Sequence, residues 1–201
     1  MNTAHSLTAS SSPTTARKPR ARWCRESGFS LVEALAVLAI ASVLAAVAVP
    51  AFKSLVGNSR LTTAANDLLF SMHLARSEAI KRGGRVALCK SADGANCAVS
   101  GGWEQGWMVF HDANHNGERD TGEVVIQRIQ PAGAGLRLTG NATVARYVSY
   151  IATGSTRTAG GAFQAGTLTV CSDSVREARQ IVLSSAGRPR VQKVNARGVC
   201  A

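Results

Sequence analysis

One carboxylate, Glu33, stands at the start of a stretch in which Ser42 is the only polar residue between Ala34 and Phe52. A charge at membrane depth costs a few kcal/mol on insertion scales, so Glu33 needs a partner or a purpose. Just before it comes Gly28-Phe29-Ser30-Leu31-Val32, and before that five basic residues, Arg17, Lys18, Arg20, Arg22 and Arg25. Further along are three more groups able to do chemistry. Four cysteines, at 89, 97, 171 and 200, could form disulfides. The loop Asp112-Ala-Asn114-His-Asn116-Gly117-Glu118-Arg119-Asp120-Thr-Gly-Glu123 offers oxygen donors at alternating positions. Gly187-Arg188-Pro189-Arg190 lies in a basic C-terminal segment.

The first of these groups resembles the processing site of a type IV prepilin. That resemblance implies that a prepilin peptidase cuts between Gly28 and Phe29, and that the new N-terminus is methylated. Pro50 falls where pilin helices often carry a proline. The role implied for Glu33 is to neutralise the free amine of a neighbouring subunit's first residue inside an apolar filament core, where a paired carboxylate can set register. Two other readings use the same residues. The run from Phe29 to Phe52 is long enough for a plain signal anchor. Ala46-Val47-Ala48 before Pro50 also fits an ordinary signal-peptidase site, which would begin the mature chain at Val49.

The elements that must position these groups divide the 201 residues into four parts. Residues 1–28 are Ser/Thr-rich and then basic, a leader to be removed. Residues 29–52 are a transmembrane or filament-core helix. Residues 53–82 continue it as an amphipathic helix, with Leu61, Ala65, Leu68, Met72, Ala75 and Ala79 on one face at steps of four and three. That face is expected to pack on the remaining domain. Lys81 and Arg82 suit the negative end of the helix, and Gly83-Gly84 ends it.

Residues 83–201 read as a β-rich head. Short strand-like runs separated by glycine-rich turns are predicted at Arg85–Lys90, Gly106–His111, Val124–Ile129, Leu136–Thr139, Arg146–Ile151, Thr167–Cys171, Gln180–Ser184 and Arg190–Val194. The fold class is therefore α+β. A long helix followed by such a head, with Trp103-Glu104-Gln105-Gly106-Trp107-Met108-Val109-Phe110 and then an Asn/Asp/Gly loop, resembles the FimT/GspH-like minor pilins and pseudopilins. The resemblance implies other pilins as partners, and an inner-membrane anchor with a periplasmic head before assembly into a pilus or pseudopilus.

Cys24 belongs to the leader, so the mature chain keeps an even number of cysteines, which suits an exported, oxidised domain. Three pairings are open. Cys89–Cys97 and Cys171–Cys200 are favoured because each closes a local loop.

The donors Asp112, Asn114, Asn116 and Glu123, with Gly117 at the bend, match the EF-hand calcium pattern. Strand-like runs flank the loop where an EF-hand needs helices. The alternative is a hairpin held by Asx turns, and no metal is assigned. His73 is expected near the apolar helix face, packed or facing a filament neighbour. His111 and His115 flank Asp112 without nearby cysteines, which does not suit zinc. The chain has no Gly-x-Ser-x-Gly, no phosphate-binding P-loop and no Gly-x-Gly-x-x-Gly, so no enzyme and no cofactor are expected.

The net charge is +11, and six basic residues against Glu177 alone lie between positions 176 and 197. Concentrated basic charge outside a membrane suits a polyanion. Gly187-Arg188-Pro189-Arg190 matches the Gly-Arg-x-Arg motif of FimT-type minor pilins that bind DNA in natural transformation. The resemblance implies a turn shaped by Gly187 and Pro189. Arg188 and Arg190 would point at phosphates, with Lys193 and Arg197 in support. The competing reading is a purely structural or priming pseudopilin of a pilus or type II secretion system, in which the cluster is solvated or meets an acidic neighbour.

Overall fold

The structure, a computed structural model, describes residues 28–200. The leader and its basic residues, apart from Gly28, lie outside the described residues. One helix, α1, runs from Leu31 to Arg82 with Pro50 inside it. Compact units divide between Val43 and Leu44, so the later part of the helix belongs with the strands.

The two ends of α1 are capped by residues visible in the sequence. Ser30 accepts the Glu33 backbone N–H on its Oγ at 3.2 Å, which satisfies one orphan donor of the first turn. At the other end Gly83 takes φ +62°, its N–H donates to the Ile80 carbonyl, and the Gly84 N–H reaches back to Ala79. This is a Schellman cap, and only glycine enters its left-handed position without cost.

Eight strands follow: β1 (Val86–Lys90), β2 (Trp107–His111), β3 (Val125–Ile129), β4 (Leu136–Gly140), β5 (Tyr147–Tyr150), β6 (Gly166–Ser172), β7 (Glu177–Leu183) and β8 (Pro189–Asn195). They form two four-stranded sheets, ordered β3-β2-β1-β5 and β4-β6-β7-β8, and every pairing is antiparallel. A short 3-10 turn at Trp103–Gln105, which the sequence reading did not include, leads into β2.

Both sheets turn one face toward the same side of α1. Val86, Leu88, Trp107, Val109, Val148 and Tyr150 come from the first sheet. Leu136, Leu138, Leu168, Val170, Ile181 and Leu183 come from the second. With Leu61, Ala64, Ala65, Leu68, Met72, Ala75 and Ala79 they make one buried core. The helical stripe is mostly small, so the strands approach closely. At Gly57 an added Cβ would run into Ser174 in the β6–β7 connection. Ser71 is buried in the same seam, accepting from the Trp107 indole at 2.9 Å and lying 3.0 Å from the Gln127 amide oxygen. A polar residue on that face is thus satisfied rather than stranded. His73, by contrast, is exposed.

The outer face of the first sheet carries a smaller cluster of Ala87, Cys89, Met108 and Phe110, against which Cys97, Val125 and Tyr147 pack. Disulfides join Cys89 to Cys97 and Cys171 to Cys200. The first ties the loop after β1 to that cluster. The second fastens the C-terminal segment to β6.

Candidate functional site

Three regions carry the side chains singled out in the sequence. At the start of α1, Gly28, Phe29 and Glu33 are all exposed, as is every residue up to Leu55. An exposed apolar surface of that length is unlike a soluble helix. The helix is long and apolar enough to cross a membrane.

In the loop between β2 and β3, the oxygen donors face inward to the loop itself. Asp112 is fully buried and accepts the backbone N–H groups of Asn116 and Gly117, each at 3.1 Å. Burial outweighs those bonds and pushes its carboxyl above the usual range. Glu123 accepts from the Ala113 and Asp120 N–H groups. Asn114 and Asn116 both donate to Asp120, whose carboxyl they hold below its ordinary value. Gly117 sits at φ +76° against the Tyr147 ring. Asp112, Asn114, Asn116 and Glu123 thus make Asx turns and caps rather than an open cage. Among the described residues, no three His, Cys, Asp or Glu side chains are grouped to hold a metal ion.

The third region is the β7–β8 hairpin. Its turn is closed by the Gly187 N–H donating to Ser184 at 2.8 Å, and Gly187 adopts φ +73°. A Cβ there would strike the Gly154 carbonyl, so the turn lies directly on the loop after β5. Thr156 locks the two together: its N–H donates to the Ser185 carbonyl, and its hydroxyl lies within reach of Ser184, Ser185 and Gln164 carbonyls. Nothing local in residues 184–190 points to Gly154 or Thr156, so the sequence reading missed this support. Pro189 does not shape the turn. It is buried, opens β8 and pairs with Leu183, a strand-start position where a missing N–H does little harm.

Strand alternation then sorts the basic residues. Arg188 and Arg190 are exposed on the side of the hairpin turned away from the core. Lys193 lies on the other side of β8, opposite Arg179, and its ammonium is 2.6 Å from Glu177. That hydrogen bond is the main reason the Glu177 carboxyl is held below its ordinary value. Arg197 is exposed in the C-terminal turn beyond β8. The fold therefore brings Arg188 and Arg190 together and sets Lys193 and Arg197 apart from them. Arg176, Arg188, Arg190 and Arg197 make no ion pair among the described residues.

Residues 64–187 of this helix-and-two-sheet head match the family described as type II transport protein GspH. The chain belongs to that family. Residues 23–49 match the prokaryotic N-terminal methylation motif, which spans Gly28, Phe29 and Glu33. This GspH-family chain is similar to the crystal structure of the type IV minor pilin FimU of Pseudomonas aeruginosa. Identity is 19%, the match covers 67% of this chain and 90% of that one, and the TM-score is 0.50. The minor pseudopilin EpsH of the Vibrio cholerae type 2 secretion system aligns at 13% identity over 66% of this chain and 96% of that one, with a TM-score of 0.46. No curated protein sequence matches it. At such identities the FimU likeness speaks to the fold. Family and motif together identify a minor pilin or pseudopilin of the FimT/GspH type. Such a chain is held in the inner membrane by its apolar helix, with the head in the periplasm, until it assembles.

Proposed function

We propose that this GspH-family chain is a minor pilin of a type IV pilus whose β7–β8 turn binds DNA for uptake. The supporting observation is the pair Arg188 and Arg190, exposed, without ion pairs among the described residues, and carried on a turn that Gly187 seats against backbone. Two guanidinium groups fixed on a rigid hairpin can bond phosphate oxygens of any sequence. In this reading the prepilin peptidase cuts after Gly28 to release Phe29, the leader is residues 1–28, and Glu33 pairs with a neighbouring subunit's N-terminal amine. Lys193 and Arg197 act as outlying cations, and Lys193 is partly spent on Glu177.

Fluorescence anisotropy on the detergent-solubilised chain tests it. Binding should be independent of sequence and fall with salt at a log–log slope of about −3 to −4 on duplex, as three or four phosphate contacts require. Arg188→Gln with Arg190→Gln should make that slope shallower by about 2. Parent-like binding by the double variant at low salt would reject the assignment. The second reading, a structural pseudopilin of a type II secretion system, is favoured by the family match itself, whose description is a type II transport protein. In that case the double variant leaves secretion intact and the parent shows no salt-dependent binding.

A further inference from the structure

Beside the Gly187 turn the loop after β5 folds back on itself. Arg157 and Phe163 face each other across an isolated antiparallel bridge, and the Arg157 guanidinium lies over the Phe163 ring, 3.8 Å from its centre. Their neighbours Thr156 and Gln164 point the opposite way and are buried. Thr156 is the residue that bonds to Ser184 and Ser185, so the Arg157–Phe163 pair is one residue from the bonds that hold the arginine turn.

Phe163 is 64% exposed although a phenylalanine gains by burial. The guanidinium covers one of its faces only. Arg157 also donates to the Gly161 carbonyl, and no carboxylate pairs with it among the described residues. The Gln164 side chain braces the loop from below, accepting from the Ser149 N–H and donating to the Thr143 and Tyr147 carbonyls. The platform is therefore rigid, aromatic, cationic on one side and open on the other. Those are the properties on which an unpaired nucleobase stacks. A duplex hides its base faces and could use only the cation.

Resting on the DNA-binding reading above, we infer that Phe163 is a stacking site for single-stranded DNA, with one base on its open face, the adjoining phosphate held by Arg157, and phosphates farther along the strand held by Arg188 and Arg190. The full chain in detergent is titrated with an oligo-dT of twenty residues, an abasic oligomer of the same length and a twenty-base-pair duplex. The parent should bind oligo-dT more tightly than either of the others. Phe163→Ala should weaken oligo-dT binding on the order of tenfold and leave the abasic oligomer and the duplex unchanged. Phe163→Trp should restore it. Arg188→Gln with Arg190→Gln should weaken all three. Unchanged oligo-dT binding in Phe163→Ala overturns the stacking site, as does an equal loss on the abasic oligomer, which would signal a disturbed loop. A parent that binds none of the three overturns the underlying DNA reading instead.

Discussion

Two charged hairpin connections can be set side by side. The β2–β3 loop is acidic and the β7–β8 turn is basic, and each bends at a glycine with positive φ, Gly117 and Gly187. In the acidic loop Asp112 and Glu123 bond the loop's own backbone N–H groups, Asp120 is held by the loop's Asn114 and Asn116, and Asp112 is wholly inside. In the basic turn the backbone closes itself, with Arg188 contributing only its main-chain groups, and the arginine side chains take no part in holding it. Charge is structural in the first and available in the second. The difference follows from chemistry. A carboxylate accepts from backbone N–H groups, which a turn has in surplus, whereas a guanidinium needs several acceptors arranged around it.

The strongest way to break the comparison is to remove the support of the basic turn. Gly187→Val introduces a β-branched residue at left-handed φ and drives a side chain into the Gly154 backbone. A loss of about 2–4 kcal/mol is expected in denaturant unfolding, from the left-handed penalty plus overpacking. A fold of parent stability would mean that the turn is not seated as described.

Asp112→Ala should come next, at about 1–3 kcal/mol, because the buried Gly117 N–H loses its acceptor and the Asn116 N–H keeps only the Asn114 side-chain oxygen. Arg188→Gln with Arg190→Gln should by contrast change stability by no more than about 0.5 kcal/mol. Equal costs for the two variants would erase the distinction between the loops.

The smallest effect is in pH dependence, and its sign differs between the regions. Burial raises the Asp112 carboxyl, so the folded state holds its proton longer than the unfolded chain. Its contribution is lost as pH rises from the ordinary Asp value of 3.8 through the raised one. The Lys193 hydrogen bond lowers Glu177, so its contribution is present above the ordinary value of 4.5 and is lost as pH falls through the lowered one. Melting temperature against pH should therefore lose part of its acid-side fall in Glu177→Gln. An unchanged acid limb in Glu177→Gln would show that this ion pair contributes nothing.

The sequence was most readable where the physics is local. The helical stripe from Leu61 to Ala79 is periodic, and all six of its residues are buried. The eight strand runs were bounded by glycines and alternation, with β7 beginning three residues earlier than expected, at Glu177. That segment is polar because Glu177 and Arg179 belong to an ion-pair cluster with Lys193, which hides its strand character. The short turn at Trp103 has no periodicity to announce it. In the candidate site, Arg188 and Arg190 could be found from a tetrapeptide. That Lys193 falls on the face opposite Arg190 follows from their odd spacing in the expected strand; its partner Glu177 was not legible, because Glu177 lay outside the expected run of β7. The bracing by Gly154 and Thr156 comes from more than 25 residues away, which no local pattern encodes.

The seam between α1 and the sheets also has a mechanical meaning. Buried helical positions run from Gly57 to Ala79, about six turns or roughly 33 Å. A pull along the helix axis loads that whole seam in shear, so its contacts must yield together rather than peel one at a time. The small side chains that let the strands lie close leave few long levers to pry them off, and the Trp107–Ser71 bond pins the middle. Tension reaching the head through its helix is thereby spread along the seam, and the arginine turn is carried as rigid cargo.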